Sequence, residues 1–256
     1  MINYQYLVAG RAIPFAWETV VDFPCLIIVG NTGVGKSTTV NFLIEEGLDF
    51  TLLPNRRILT DQFILAPMLA KEGREVKDLD RVERFNYTRC YREEVPSGIA
   101  YVLTQLYLDS QQVKPLLIFD GLRGEQEVTY AAQKLPLAKF VCLTAPYLIR
   151  LQRLLNRQDA FDLVSEAKDL DSLKELLQPF TFSEKEQLVN LVETGQVTVN
   201  ELQQKLKIVT TEKLNYNAEI TKSALETFVP QKSLFIDSSI HSPQQIAKAI
   251  ISRFKL

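Results

Sequence analysis

The sequence predicts an α/β protein, a doubly wound three-layer αβα sheet with a helical insertion before its last strand. Two observations lead there. Cys25 to Val29, Leu116 to Phe119 and Phe140 to Leu143 are apolar runs without polar alternation, as in strands buried on both faces of a parallel sheet. Each leads through a turn into a segment whose apolar residues recur at helical spacing, so helices cross over the sheet between strands.

The elements follow in order. Tyr4 to Val8 and Phe15 to Val21, separated by Gly10 and Pro14, predict a hairpin or edge addition. A strand at 25–29 and a helix at 36–46 come next, the helix stopped by Gly47, and Asp49 to Pro54 predicts a second strand. Residues 62–95 and 97–108 have helical periodicity. The strand ending at Asp120 precedes a helix at 125–134, and the strand at 140–143 precedes a helix at 147–157. Residues 159–227 hold no strand pattern and predict several amphipathic helices, one opening with the capping box Ser183 to Glu186. Ser233 to Asp237 is a last strand and Pro243 to Phe254 a last helix. The chain thus divides into an extension (1–24), a core (25–158 and 228–256) and an insertion (159–227).

Between the first core strand and its helix stands Gly30-Asn31-Thr32-Gly33-Val34-Gly35-Lys36-Ser37, which fills every fixed position of the phosphate-loop pattern. Glycines let backbone N–H groups turn toward phosphate oxygens, and the helix N-terminus adds partial positive charge. Gly30 through Thr38 are therefore the nucleotide-binding candidates, with Lys36 on the β- and γ-phosphates and Ser37 on Mg²⁺. Asp120, at a strand end, is the second candidate metal ligand. No Asn-Lys-x-Asp or Thr-Lys-x-Asp tetrapeptide occurs, which weakens a guanine-nucleotide reading.

The 256 residues carry a net charge of −2 and an apolar fraction of 46%, enough for a sizeable core. Acids and bases are mixed along the chain, so no nucleic-acid footprint is expected. No apolar run nears the roughly 18 residues of a membrane span. No signal-peptide pattern opens the chain and the three cysteines are widely spaced, so a cytoplasmic location is expected.

The chain resembles the small phosphate-loop kinases of the nucleoside monophosphate kinase type, including dephospho-coenzyme A kinase. The likeness rests on Gly30 to Ser37, on Phe119-Asp120-Gly121-Leu122-Arg123 with Glu125 and Glu127, and on Ala145-Pro146 leading to Arg150, Arg153 and Arg157. It implies a sheet order of 2-3-1-4-5, ATP as co-substrate and a mobile lid after the fourth strand. It also implies that Arg153 and Arg157 meet the transferred phosphate on lid closure and that Arg123 faces the acceptor. Arg150, at the helix root, reads as solvated or structural.

Ligands of such sheets lie beyond the carboxyl ends of the strands, which makes Arg56, Arg57, Asp61, Arg89 and Arg92 acceptor-side candidates. Arginine forks suit a phosphorylated acceptor, such as a nucleoside monophosphate. Thr60-Asp61-x-x-Ile64 also looks like the acidic motif with which shikimate-type kinases hold a hydroxyl, or Thr60 simply caps a helix. The expected function is ATP- and Mg²⁺-dependent phosphoryl transfer to a small molecule. The alternative is a nucleotide-binding regulator or ATPase whose insertion contacts a partner protein.

Overall fold

The computed structural model describes residues 7–9, 15–79, 81–157 and 176–256. Its strands are β1 (Leu7–Ala9), β2 (Glu18–Thr19), β3 (Cys25–Val29), β4 (Thr51–Leu52), β5 (Leu106–Leu108), β6 (Leu117–Leu122), β7 (Ala138–Thr144) and β8 (Ser233–Asp237). The last strands, without β5, form a parallel five-stranded sheet ordered β4-β6-β3-β7-β8. Counted along the chain this is 2-3-1-4-5, the expected order.

The helices before β8 are α1 (Lys36–Glu45), α2 (Arg56–Thr60), α3 (Ala66–Ala70), α4 (Arg81–Glu94), α5 (Ile99–Thr104), α6 (Glu125–Lys134), α7 (Tyr147–Leu155), α8 (Phe182–Glu193), α9 (Val199–Asn215) and α10 (Ala218–Phe228). Helix α11 (Pro243–Phe254) closes the chain, and a π-helical stretch, Asp61–Leu65, joins α2 to α3.

Alternation along β3 builds the layers. Cys25, Ile27 and Val29 enter one core with Phe119 and Phe140, roofed by Leu103 of α5, Val128 of α6 and Leu225 of α10. Leu26 and Ile28 face the other way, onto Val40 and Leu43 of α1 and Ile246 and Ile250 of α11. Phe119 and Phe140 are wholly buried, so truncating either to alanine would cost about 3–5 kcal/mol.

One irregularity in this lattice positions the site. Ile27 pairs with Phe119 but Val29 pairs with Leu122, so β6 carries one residue more than β3 at Asp120–Gly121. The bulge resets the alternation, and Leu122 joins Phe119 in the same core although three positions away. Bulges beside active sites re-aim side chains in this way. Asp120 therefore lies inside the strand, not at its end as the sequence predicts, and its carboxylate leaves the sheet toward α1.

Four other boundaries differ from expectation. Strands β1 and β2 do not pair with each other as a hairpin; each pairs antiparallel with β5. That strand lies within the stretch read as helix through Leu108, because Leu106 fits helical spacing after Val102 and Leu103 while also fitting a three-residue alternation with buried Leu108. Helix α10, assigned above to the insertion, packs on α6 and the sheet, so the core resumes at Ala218. The capping box of α8 is Thr181 with Glu184, since both share the spacing of Ser183 with Glu186 and buried Phe180 fixes the entry. Tyr4 to Tyr6, the Gly10 to Pro14 link, residue 158 of the core and the part of the insertion at 159–175 lie outside the described residues.

Candidate active site

The turn from β3 into α1 places the phosphate loop at the carboxyl edge of the sheet. Gly33 adopts φ +85°, and a Cβ there would lie 2.8 Å from the Arg150 carbonyl, so only glycine allows α7 to close on the loop. Lys36 Nζ donates to Gly30 O at 2.6 Å and Asn31 O at 2.9 Å. Burial first, then the nearby Arg123 guanidinium, lowers its pKa to about 7 against the pull of Glu212 and Asp120. Gly30 and Asn31 thus anchor the lysine, while Thr32 through Thr38 line a cleft of about 1420 Å³.

Ser37 Oγ lies 3.5 Å from Asp120 Oδ2. These are hard oxygen donors, one anionic, and Mg²⁺ binds in just such a way, through one or two protein oxygens with water and phosphate completing the shell.

The arginines divide sharply. Arg150, expected to be solvated or structural, is 3% exposed, and its Nε donates to Thr32 O at 2.8 Å. Burial lowers its pKa, with Glu212 opposing. Arg153 donates to Gly33 O at 3.2 Å, Ser238 Oγ at 2.9 Å and Ser238 O at 2.7 Å. It already braces the loop in this structure, with no closing motion needed to bring it there. Arg157 is exposed on the same cleft wall.

On the acceptor side, Arg56, Arg57, Arg92 and Arg123 line the cleft. Arg56 forks onto Glu127, at 2.7 and 2.6 Å. Burial would lower its pKa, but Glu127 outweighs that and raises it. Two expectations fail. Arg89 is exposed and off the cleft; Phe85, Thr88 and Arg92 of α4 turn toward the cleft, and Arg89 lies just beyond the edge of that face, about 40° past Phe85. Asp61 pairs with Arg84, which ties the π stretch to α4 instead of meeting a ligand, and its carboxyl is raised chiefly by burial.

The insertion supplies residues that the sequence reading missed. Ile208, Glu212 and Tyr216 recur every four positions on and just past α9, beside Lys207, Thr211 and Asn215, and all six line the cleft. Glu212 is 6% exposed and accepts from Thr32 N at 2.9 Å, Thr32 Oγ1, Arg123 Nη1 at 2.6 Å and Arg150 Nη2. Burial pushes its carboxyl up, yet Arg123, Arg150 and Thr32 prevail and hold it below the usual range. Tyr216 Oη meets Arg56 Nη2 and Arg92 Nη1, each at 3.2 Å, with both guanidinium groups 5.7 Å from its ring centre. The helical stripe was the available signal, but nothing in the sequence tells a cleft-facing stripe from a core-facing one.

No family model matches the chain, and no curated protein matches its sequence. Among solved structures, a sulfotransferase from Alicyclobacillus acidocaldarius is 13% identical, with 91% of this chain and 81% of that one covered and a TM-score of 0.42. A deoxyadenosine kinase from M. mycoides with bound dCTP is 12% identical, with 91% and 100% covered and a TM-score of 0.41. A shikimate kinase from Acinetobacter baumannii in complex with shikimate is 16% identical, with 91% and 94% covered and a TM-score of 0.40. Likeness this distant decides neither reaction nor substrate.

Proposed function

We propose that the chain is an ATP- and Mg²⁺-dependent phosphotransferase acting on a small, anionic molecule. The observation that carries this is the continuity of one cleft from the phosphate loop, past Ser37 and Asp120, to a second half lined by Asn55, Arg57, Phe85, Thr88 and Arg92. Its volume exceeds the roughly 300–1000 Å³ of a pocket for one drug-sized ligand, so a nucleotide and an acceptor fit together.

In this reading the loop N–H groups and Lys36 orient the nucleotide's phosphates, and Arg153 keeps the loop in shape. Ser37 and Asp120 hold Mg²⁺, which supplies neutralisation of phosphate charge. Arg123, whose Nε is buried without a hydrogen-bond partner among the described residues, has a donor to offer to transferred or acceptor oxygens. Phosphoryl transfer asks mainly for such positioning and charge balance. No described helix is long and apolar enough to cross a membrane. All three cysteines are free thiols, as a reducing cytoplasm would keep them.

ADP formation measured with and without a panel of nucleoside monophosphates and other phosphorylated metabolites tests the proposal. ADP that appears only with an acceptor supports it; equal turnover without any acceptor refutes it. The second outcome would favour a nucleotide-dependent regulator, a reading supported by the direct bond between Glu212 of the insertion and the phosphate loop.

A further inference from the structure

We propose that residues 212–216, at the end of α9, are an internal occupant of the cleft: Glu212 holds donors that a nucleotide phosphate would take and Tyr216 holds the acceptor-side arginine pair, so nucleotide binds as Glu212 withdraws. The inference rests on the phosphate loop being a nucleotide site, not on transfer to any acceptor.

The Glu212 environment is that of an anion site already filled. Its carboxylate takes a backbone N–H and a hydroxyl from Thr32, inside the loop, together with one N–H from each of Arg123 and Arg150. A loop N–H aimed at one oxyanion cannot serve a second, and a phosphate brought beside a buried carboxylate meets like charge in a poorly screened cleft. Glu212 and a phosphate on Thr32 therefore compete. Lys36 is occupied too, by the carbonyls of Gly30 and Asn31.

Tyr216 occupies the other half in parallel. Its hydroxyl accepts from Arg56 and Arg92, and its backbone carbonyl accepts from Asn31 Nδ2 at 3.3 Å. The seat is fitted to it, since a Cβ on Gly124 would lie 2.8 Å from the Tyr216 ring. Gly124 has an extended backbone that any residue adopts, so the constraint at this position is space for the ring. Beyond Tyr216, the Asn217 side chain caps α10, which is fixed to the core. The movable part therefore lies on the α9 side of that cap.

The test is calorimetric titration of the full chain with a non-hydrolysable ATP analogue and, as a control, adenosine. Glu212→Gln keeps the shape and removes the charge. It should bind the analogue at least about tenfold more tightly than the parent, the worth of one charge-assisted hydrogen bond, with adenosine affinity unchanged. Gly124→Ala, which evicts the Tyr216 ring without touching the loop, should shift analogue affinity the same way by a smaller factor. Equal or weaker analogue binding by Glu212→Gln overturns the proposal and makes Glu212 a brace for Arg123 and Arg150. A crystal structure with the analogue on the loop and Glu212 still on Thr32 N–H overturns it as well. Lack of acceptor-dependent ADP formation would refute the phosphotransferase reading while leaving these binding results intact.

Discussion

The Asp120 carboxylate meets the Ser37 hydroxyl at 3.5 Å across the top of the sheet, brought there by the extra residue in β6 opposite Ile27–Val29. Asp120→Asn keeps that geometry and removes the negative charge. The Mg²⁺ concentration for half-maximal activity should rise about tenfold or more, while nucleotide affinity measured without Mg²⁺ stays unchanged. Superimposable Mg²⁺ titrations of variant and parent would take Asp120 out of the metal site.

Gly121 completes the bulge for a steric reason. A Cβ there would stand 2.3 to 2.9 Å from three atoms of the wholly buried Phe119 ring. Gly121→Ala should lower the unfolding free energy by about 1–3 kcal/mol, read as a lower urea midpoint, and should also weaken Mg²⁺-dependent activity because Asp120 shares the distortion. A variant as stable as the parent would show that the ring can move.

Lys36 gives a pH signature. Its free-state pKa of about 7 lies below the roughly 10.4 of an unperturbed lysine, and bound polyphosphate would favour the ammonium form. Between those values the complex carries more protons than the free protein, so nucleotide binding takes up protons at pH 8. Titrations in two buffers of different ionisation enthalpy measure that uptake directly. It should vanish in Lys36→Ala, which should also lose phosphoryl transfer while remaining folded. The linkage sign for stability is set by the same shift: the unfolded chain binds more protons between about pH 7 and 10.4, so the cost of burying Lys36 is full below 7 and fades as pH rises through that window. Lys36→Ala should therefore melt no lower than the parent at neutral pH.

The sheet was legible in the sequence because its strands are buried on both faces and apolar throughout, and the phosphate loop because glycine, lysine and serine at those spacings have few other uses. Spacing alone located the turn at Gly30 to Thr38 between β3 and α1; its binding of nucleotide is the proposal made of it. The acceptor half was not legible, since the facing of Arg89 and the pairing of Asp61 with Arg84 depend on how α4 lies across the π stretch. Glu212 was invisible for a related reason: a lone glutamate on an amphipathic helix is ordinarily solvated, and only the docking of α9 on α7, through Leu151, Leu154, Leu202 and Leu206, turns it onto the loop. The bulge at Asp120 was equally hidden, because an apolar run does not record a one-residue change of register.

Arg56 tests the boundary between binding and architecture. Its fork is taken by Glu127, which is 2% exposed and also accepts from Arg123 N at 3.1 Å. Arg56→Ala leaves the buried Glu127 without its ion partner, with only the Arg123 N–H remaining, and should cost about 3–5 kcal/mol of stability. The double variant Arg56→Met, Glu127→Leu should recover much of that loss. Denaturant unfolding of the set decides the matter; a stable Arg56→Ala with only a raised KM for acceptor would restore Arg56 to substrate binding.

Arg153 and Arg157 stand on the same cleft wall, Arg153 half-buried against the loop and Arg157 exposed, and their kinetics should differ accordingly. Arg153 joins Gly33 O on the loop to Ser238 Oγ and O beyond β8. Removing it frees a loop carbonyl and loosens the N–H groups proposed to grip phosphate, in ground state and transition state alike. Arg153→Ala should therefore weaken nucleotide affinity as well as kcat, with kcat/KM for ATP down by on the order of a hundredfold or more. Arg157 is exposed and lines the cleft. If it meets charge that develops during transfer, Arg157→Ala should lower kcat by on the order of a hundredfold with nucleotide affinity unchanged. Equilibrium binding of a non-hydrolysable ATP analogue alongside steady-state rates separates the two. Unchanged affinity in Arg153→Ala would cancel its role as a brace, and unchanged kcat in Arg157→Ala would leave the transferred phosphate to Lys36 and Arg123.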